Sequence, residues 1–145
     1  MAFYGFAEGA CCHTLNLSST ASVLYSPAYD LVSLGAVCIG PTTNNITEYR
    51  AVIGVLTEAV SHDVHNLVVL MDSQLVVCHL NHVYIIRNPV LLCLFWRVCF
   101  LERSFETITY RHIPREHNLV ADSFDNYILD WYIAHSLHQI KHGTL

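Results

Sequence analysis

A chain of 145 residues has room for one domain with one sizeable core. It is 53% apolar and 13% charged, about half the charged share of an ordinary soluble domain, which excludes a disordered tail and points to more apolar surface than a monomer needs. With a net charge of −5, seven basic residues and Lys141 as its lone lysine, it lacks the basic face through which nucleic-acid binders usually meet phosphate.

Met1 to Phe6 is short, apolar and aromatic, and predicts a first strand with little chain upstream of it. Glu8 to Ser19, rich in Ser, Thr and Cys, predicts a loop. Thr20 to Tyr25 and Asp30 to Ile39 read as two strands around a Ser26-Pro27 turn, giving an antiparallel meander with the first. Gly40 and Pro41 end the run. Asn45 followed by Glu48 is a capping-box pattern, and Tyr49, Val52, Ile53, Leu56 and Val60 then recur at helical spacing to about His62.

Asn66 to Met71 is a continuous apolar strand of the kind buried in the centre of a sheet. A short helix is predicted from Ser73 to Leu80. Asn88-Pro89, a cap with proline in the first turn, opens another to about Arg103. Thr107 to His112 alternates as a strand, and a last helix starts near Glu116 or Asn118 and runs to about His138. The order β-β-β-α-β-α-α-β-α describes one α/β domain without internal repeat or linker.

The six cysteines form no CxxC pair, and four lie in apolar runs, which suits reduced, buried thiols. The N-terminus lacks a basic n-region and carries Glu8 where a signal peptide is apolar; the longest apolar run, Val90 to Leu101, falls short of the roughly 18 residues of a membrane span. An intracellular protein of nucleus or cytoplasm is expected, with no membrane partner. Among ten histidines, the pairs His62/His65, His79/His82 and His135/His138 have no cysteine partner at zinc-finger spacing and are expected to be incidental.

Taken singly, Glu48, Asp72 and Asp122 have structural explanations. An acid early in a helix is favoured by the dipole, an Asp after a buried strand often caps the next helix, and a helical Asp can be merely solvated. Their joint context is more specific. Thr42-Thr43-Asn44-Asn45-Ile46-Thr47-Glu48, then Met71-Asp72-Ser73-Gln74, then the run from His112 through Pro114, Glu116, His117 and Asn118 to Ala121-Asp122 follow one another at spacing suited to one domain.

These blocks resemble the ribonuclease H family, particularly the form carried by plant LTR-retrotransposon polyproteins, over Ala2 to Leu129. The resemblance implies an RNase H-like fold with a five-stranded mixed sheet flanked by helices over residues 1–130, and 131–145 as a C-terminal helical extension of the same domain. It implies four carboxylates holding two Mg²⁺ (or Mn²⁺) ions for cleavage of RNA in RNA/DNA hybrids. Glu48, Asp72 and Asp122 match the second, third and fourth of these acids. His112 matches a mobile histidine that assists product release. Asn44, Asn45 and Gln74, with Ser73 beside it, match positions that read the minor groove of the hybrid, where 2′-hydroxyls mark RNA.

The family's first strand ends in F-x-D-G or F-D-G. Aligned on Phe3-Tyr4-Gly5, this chain puts Tyr4 in the place of the first acid, with Glu8 and Asp30 out of register to replace it. A phenol with a pKa near 10 carries no charge for a metal. Cys11-Cys12-His13 and Ser18-Ser19-Thr20 stand where the family has glycines. An inactive or strongly impaired domain is therefore expected, with weakened metal and hybrid binding; weak activity through the three remaining acids is the alternative. A third reading is a protein-interaction module. In the 89–103 helix, Leu91, Leu94, Phe95 and Val98 make a buried stripe. Leu92, Cys93, Trp96, Cys99 and Phe100 fall outside it, a surface for a protein partner or self-association unless Trp131, Tyr132, Ile133, Leu137 and Ile140 cover it.

Overall fold

The computed structural model describes residues 1–12 and 15–118. Only the start of the expected last helix is described, where Arg115–His117 form a 3₁₀ turn; the rest of it, the extension at 131–145 and Asp122 lie outside those residues. The described elements come in the expected order: β1 (Phe3–Cys12), β2 (Leu17–Tyr25), β3 (Leu31–Ile39), α1 (Asn44–Ser61), β4 (Asn66–Met71), α2 (Gln74–Leu80), α3 (Pro89–Glu102) and β5 (Thr107–His112), followed by a 3₁₀ turn at Arg115–His117. They form a five-stranded mixed sheet in the order β3-β2-β1-β4-β5. β1 runs antiparallel to β2 and parallel to β4, which in turn runs parallel to β5.

Two expectations need correction. Glu8 to Ser19 is not a loop: β1 continues to Cys12 and β2 begins at Leu17, with Glu8 opposite Ala21 and Cys12 opposite Leu17. Residues such as Gly9 and Ala10 have little strand preference of their own, so pairing with neighbouring strands holds them extended. Nor is Asn45 the cap of α1. Thr43 is, its hydroxyl accepting from the Ile46 N–H at 3.3 Å. Glu48 is thus released from capping.

α1 packs across the sheet through Tyr49, Val52, Val55, Leu56 and Ala59, all at most 1% exposed, against Ala7, Leu67, Val69 and Met71. Each such large apolar side chain contributes about 1.5–3 kcal/mol by leaving water. α3 adds Leu91, Leu94 and Val98 to this core, as its spacing predicts. Hydrogen bonds pin the helices to β5: Asn81 Nδ2 donates to the Tyr110 carbonyl at 3.0 Å, and the Tyr110 hydroxyl donates to Glu102 at 2.8 Å. Trp96 and Phe100, on the outer side of α3, are 62% and 68% exposed. No helix among the described residues is long and apolar enough to cross a membrane.

Candidate active site

Residue by residue, β1 presents alternate faces. Gly5, Ala7 and Gly9 face α1, whereas Phe6 packs on the opposite side of the sheet with Val23 and Tyr25. Parity places Tyr4 and Glu8 on that second face too. Glu8 is nonetheless 2% exposed. It pairs with Ala21 on one side, and its neighbour Ala7 is in register with Met71 on the other, so Glu8 lies level with Asp72, the first residue after β4.

Glu48 arrives from α1 because Gly9 lets the helix close in. A Cβ on Gly9 would lie 2.7 Å from Thr47 Cγ2 and 3.0 Å from the Thr47 backbone carbon. Across this contact the Gly9 N–H donates to Glu48 Oε1 at 3.3 Å. Glu8, Glu48 and Asp72 then offer oxygens that all lie within 4.8 Å of one another. At that separation each pair of carboxylates repels by about 3–4 kcal/mol for an effective dielectric constant of about 20. Converging hard, anionic oxygens are the donor set of a divalent cation such as Mg²⁺ or Mn²⁺, and they fit it where histidine or thiol ligands would not.

The acids floor a cleft of about 550 Å³ that Asn44, Asn45, Ser73, His112, Pro114 and Arg115 help to line. Asn44 and Asn45 come from the first turn of α1. Ser73 caps α2, accepting from the Val76 N–H at 3.4 Å. His112 ends β5, and the Ile113 N–H donates to the Met71 carbonyl at 2.9 Å, carrying the β4–β5 ladder up to the cleft. Gln74 is exposed and is not among the residues around the cleft, although Ser73 beside it is.

Tyr4 does not stand in the acid's place. It pairs with Val68 of β4 and stacks on Tyr29 with ring centroids 4.9 Å apart and planes 12° from parallel. The residue at the level of Asp72 is Glu8, which the sequence reading placed in a loop and out of register. The signal that finds it is Phe6-Ala7-Glu8-Gly9, which fits F-x-D-G with one added methylene. Sequence reasoning also missed Gly9 and Asn118. Asn118 is 1% exposed, and its Nδ2 donates to the Ala7 carbonyl at 3.0 Å and to Glu8 Oε2 at 3.1 Å.

Other candidates are in structural use. His79 is buried with its Nδ1 2.9 Å from the Tyr49 hydroxyl, and burial lowers its pKa. His62 lies 3.7 Å from Glu58. Among the described residues Cys11, Cys38, Cys78, Cys93 and Cys99 are not in disulfides; Cys93 is exposed, as expected on the outer side of α3, and the other four are only partly buried rather than buried.

The reverse transcriptase-like family matches residues 6–127. A bifunctional protein of Mycobacterium tuberculosis and an uncharacterized protein of Mycobacterium bovis are each 38% identical over 92 residues, 63% of this chain. The chain matches about a quarter of the length of these relatives, 25% in each case. Among solved structures, RNase H1 of the halophilic archaeon Halobacterium salinarum superposes with a TM-score of 0.85 at 29% identity, covering 90% of this chain and 98% of that one. The N-terminal RNase H domain of the M. tuberculosis protein gives 0.83 at 29% identity, covering 87% and 97%. LC11-RNase H1, solved in complex with an RNA/DNA hybrid, gives 0.84 at 25% identity, covering 90% and 99%.

Proposed function

The chain belongs to the reverse transcriptase-like family and has the ribonuclease H fold, and we propose that it is a divalent-metal-dependent endoribonuclease acting on the RNA strand of RNA/DNA hybrids. The convergence of Glu8, Glu48 and Asp72 within 4.8 Å carries this reading. It favours activity over the expected inactive domain, since an acid stands on β1 beside Glu48 and Asp72. Asp122 is proposed as the fourth carboxylate from its place in the His112–Asp122 block.

Glu8, Glu48 and Asp72 would hold Mg²⁺ or Mn²⁺, which when bound supplies the Lewis acidity that activates water and offsets charge on the phosphate and the leaving oxygen. The chain's own side chains do the rest. Asn44 and Asn45 present amide donors and acceptors, and Ser73 a hydroxyl, at the cleft wall where a ribose 2′-hydroxyl distinguishes RNA from DNA. His112, exposed at the cleft mouth, would assist release of the cut strand. With seven basic residues in the whole chain, hybrid binding is weak and falls further with salt.

The test is cleavage of an end-labelled RNA/DNA hybrid beside single-stranded RNA and duplex RNA, in Mg²⁺ and in Mn²⁺. Internal cuts in the hybrid RNA alone are expected. No cutting at any concentration of either metal would return the domain to an inactive, binding role.

The exposed Trp96 and Phe100 favour a second, compatible reading. With Ile53 and Thr57 of α1 they border a groove of about 370 Å³ that shares no lining residue with the acid cleft. Self-association through this face would give a dimer by light scattering that Trp96→Glu dissolves; a monomer at all concentrations contradicts it.

A further inference from the structure

We infer that Asn118 is a positioning residue for Glu8, clamping a carboxylate that is one methylene longer than the family's aspartate so that its second oxygen faces Glu48 and Asp72. The inference rests on Glu8 being a metal-holding acid. It deepens that reading by assigning the residue that fixes its geometry.

Three observations meet here. Asn118 and Glu8 are both buried, at 1% and 2% exposure, so neither side chain is free to sample solvent-facing rotamers. The Asn118 amide nitrogen donates to Glu8 Oε2 at 3.1 Å and also to the carbonyl of Ala7, the preceding residue, at 3.0 Å. Both partners are acceptors. Only the amino end of the carboxamide can face them, and the orientation of the amide is thereby settled. Among the described residues Asn118 Oδ1, also buried, has no hydrogen-bond partner, so the side chain sits where Glu8 requires it at some cost to its own bonding.

The bond to Glu8 is charge-assisted and buried, stronger than a neutral one in water. Its direction matters more than its strength. An aspartate is held by two rotatable bonds, a glutamate by three, and the extra bond lets the carboxylate swing past the point where the Glu48 and Asp72 oxygens meet. Repulsion from those two acids drives it the same way. Asn118 holds Oε2 and, through its second bond to the Ala7 carbonyl, ties it to the β1 backbone. Asn118 follows the 3₁₀ turn at Arg115–His117, so the clamp also joins the segment leading to Asp122 to β1.

The experiment is calorimetric titration of Mn²⁺ into the full chain carrying no change, Asn118→Ala, Glu8→Ala, or both. Hybrid cleavage is measured in parallel. Asn118→Ala is expected to weaken Mn²⁺ affinity about tenfold and to lower kcat while KM for the hybrid stays within about twofold. In the Glu8→Ala background, adding Asn118→Ala should change the residual affinity by less than about twofold, because no carboxylate is left to hold.

An equal loss in both backgrounds would mean that Asn118 acts through the fold and would overturn the inference. Unchanged affinity in the single variant would also overturn it. If Asn118→Ala does not fold, the near-isosteric Asn118→Leu, which fills the site but offers no donor, takes its place in the same cycle. Mn²⁺ binding without cleavage in the unaltered chain would refute the proposed nuclease activity yet leave the clamp to be decided by the affinity cycle. Failure of the unaltered chain to bind Mn²⁺ at millimolar concentration refutes both.

Discussion

Tyr4 and Glu8 lie four residues apart in one strand, on the same face of the sheet and roughly 13 Å from each other at about 3.3 Å per residue. Their surroundings differ in kind. Tyr4 sits level with Val68 inside β4 and stacks on Tyr29, an apolar and aromatic setting at the end of the strand away from the cleft. Glu8 sits level with the end of β4, where the neighbouring strand stops and Asp72 turns into α2. A side chain level with the end of β4 meets helix-start residues such as Asn44, Asn45 and Ser73, whereas one four positions earlier meets the aromatic ring of Tyr29 and its strand neighbours. Chemistry follows register here, and a shift of two pleat repeats separates a cluster of acids from an aromatic stack.

The largest expected effect breaks that contrast at its functional end. Glu8→Gln removes a ligand charge and should lower hybrid cleavage by about a thousandfold or more in single-turnover assays, since several kcal/mol are lost and each 1.4 kcal/mol is tenfold. Metal-free Glu8→Gln should be no less stable than the unaltered chain, because repulsion with Glu48 and Asp72 is relieved. A loss of activity accompanied by unfolding would deny Glu8 its assigned role.

Gly9→Ala sharpens the comparison by moving one partner of the cluster. The new Cβ would meet the Thr47 backbone, which cannot yield as a side chain can. Urea unfolding should show a loss of about 1–3 kcal/mol from overpacking. Cleavage should fall by about tenfold as Glu48 is displaced from Glu8. Normal stability with normal cleavage would show that α1 does not depend on this close approach.

How much of this was legible in the sequence depended on the kind of signal. Helix α3 announced itself through Asn88-Pro89 and the Leu91, Leu94, Val98 stripe, and β4 through an unbroken apolar run, because burial writes its period into side-chain type. Glu48, Asp72, Asn44, Asn45, Ser73 and His112 were found through blocks in which local order and spacing agree, and the cleft collects them. β1 beyond Phe6 was illegible by the same criterion. Its inward residues Ala7 and Gly9 are small because α1 presses on them, and Glu8 on the other face is charged although buried, so neither face shows an apolar alternation. Asn118 stands inside the His112–Asp122 block, but its role was unreadable because its partner lies 110 residues earlier in the chain.

A smaller effect belongs to the core under the site. His79 is buried beside Tyr49 and its pKa lies below the ordinary 6.5. Below pH 6.5 the unfolded chain binds a proton that the folded chain resists, so this contribution to stability is complete above about 6.5 and is lost as pH falls through the lowered folded value. Urea midpoints from pH 8 to 5 should decline in that window, and His79→Phe should flatten the decline. An unchanged slope in that variant would assign the pH dependence elsewhere.

The smallest effect is expected on the far face of α3. Trp96→Glu replaces a side chain that is 62% exposed. It should leave stability within about 0.5 kcal/mol and hybrid cleavage within about twofold. A strong loss of cleavage would join that face to the site and dissolve the separation between them.

The identity of the acid on β1 is tested most directly by calorimetric titration of Mn²⁺ into three proteins: the unaltered chain, Glu8→Gln and Tyr4→Asp. The account predicts saturable binding to the unaltered chain, the same affinity within about twofold for Tyr4→Asp, and at least about a tenfold loss for Glu8→Gln. Tighter binding by Tyr4→Asp together with unchanged binding by Glu8→Gln would contradict it.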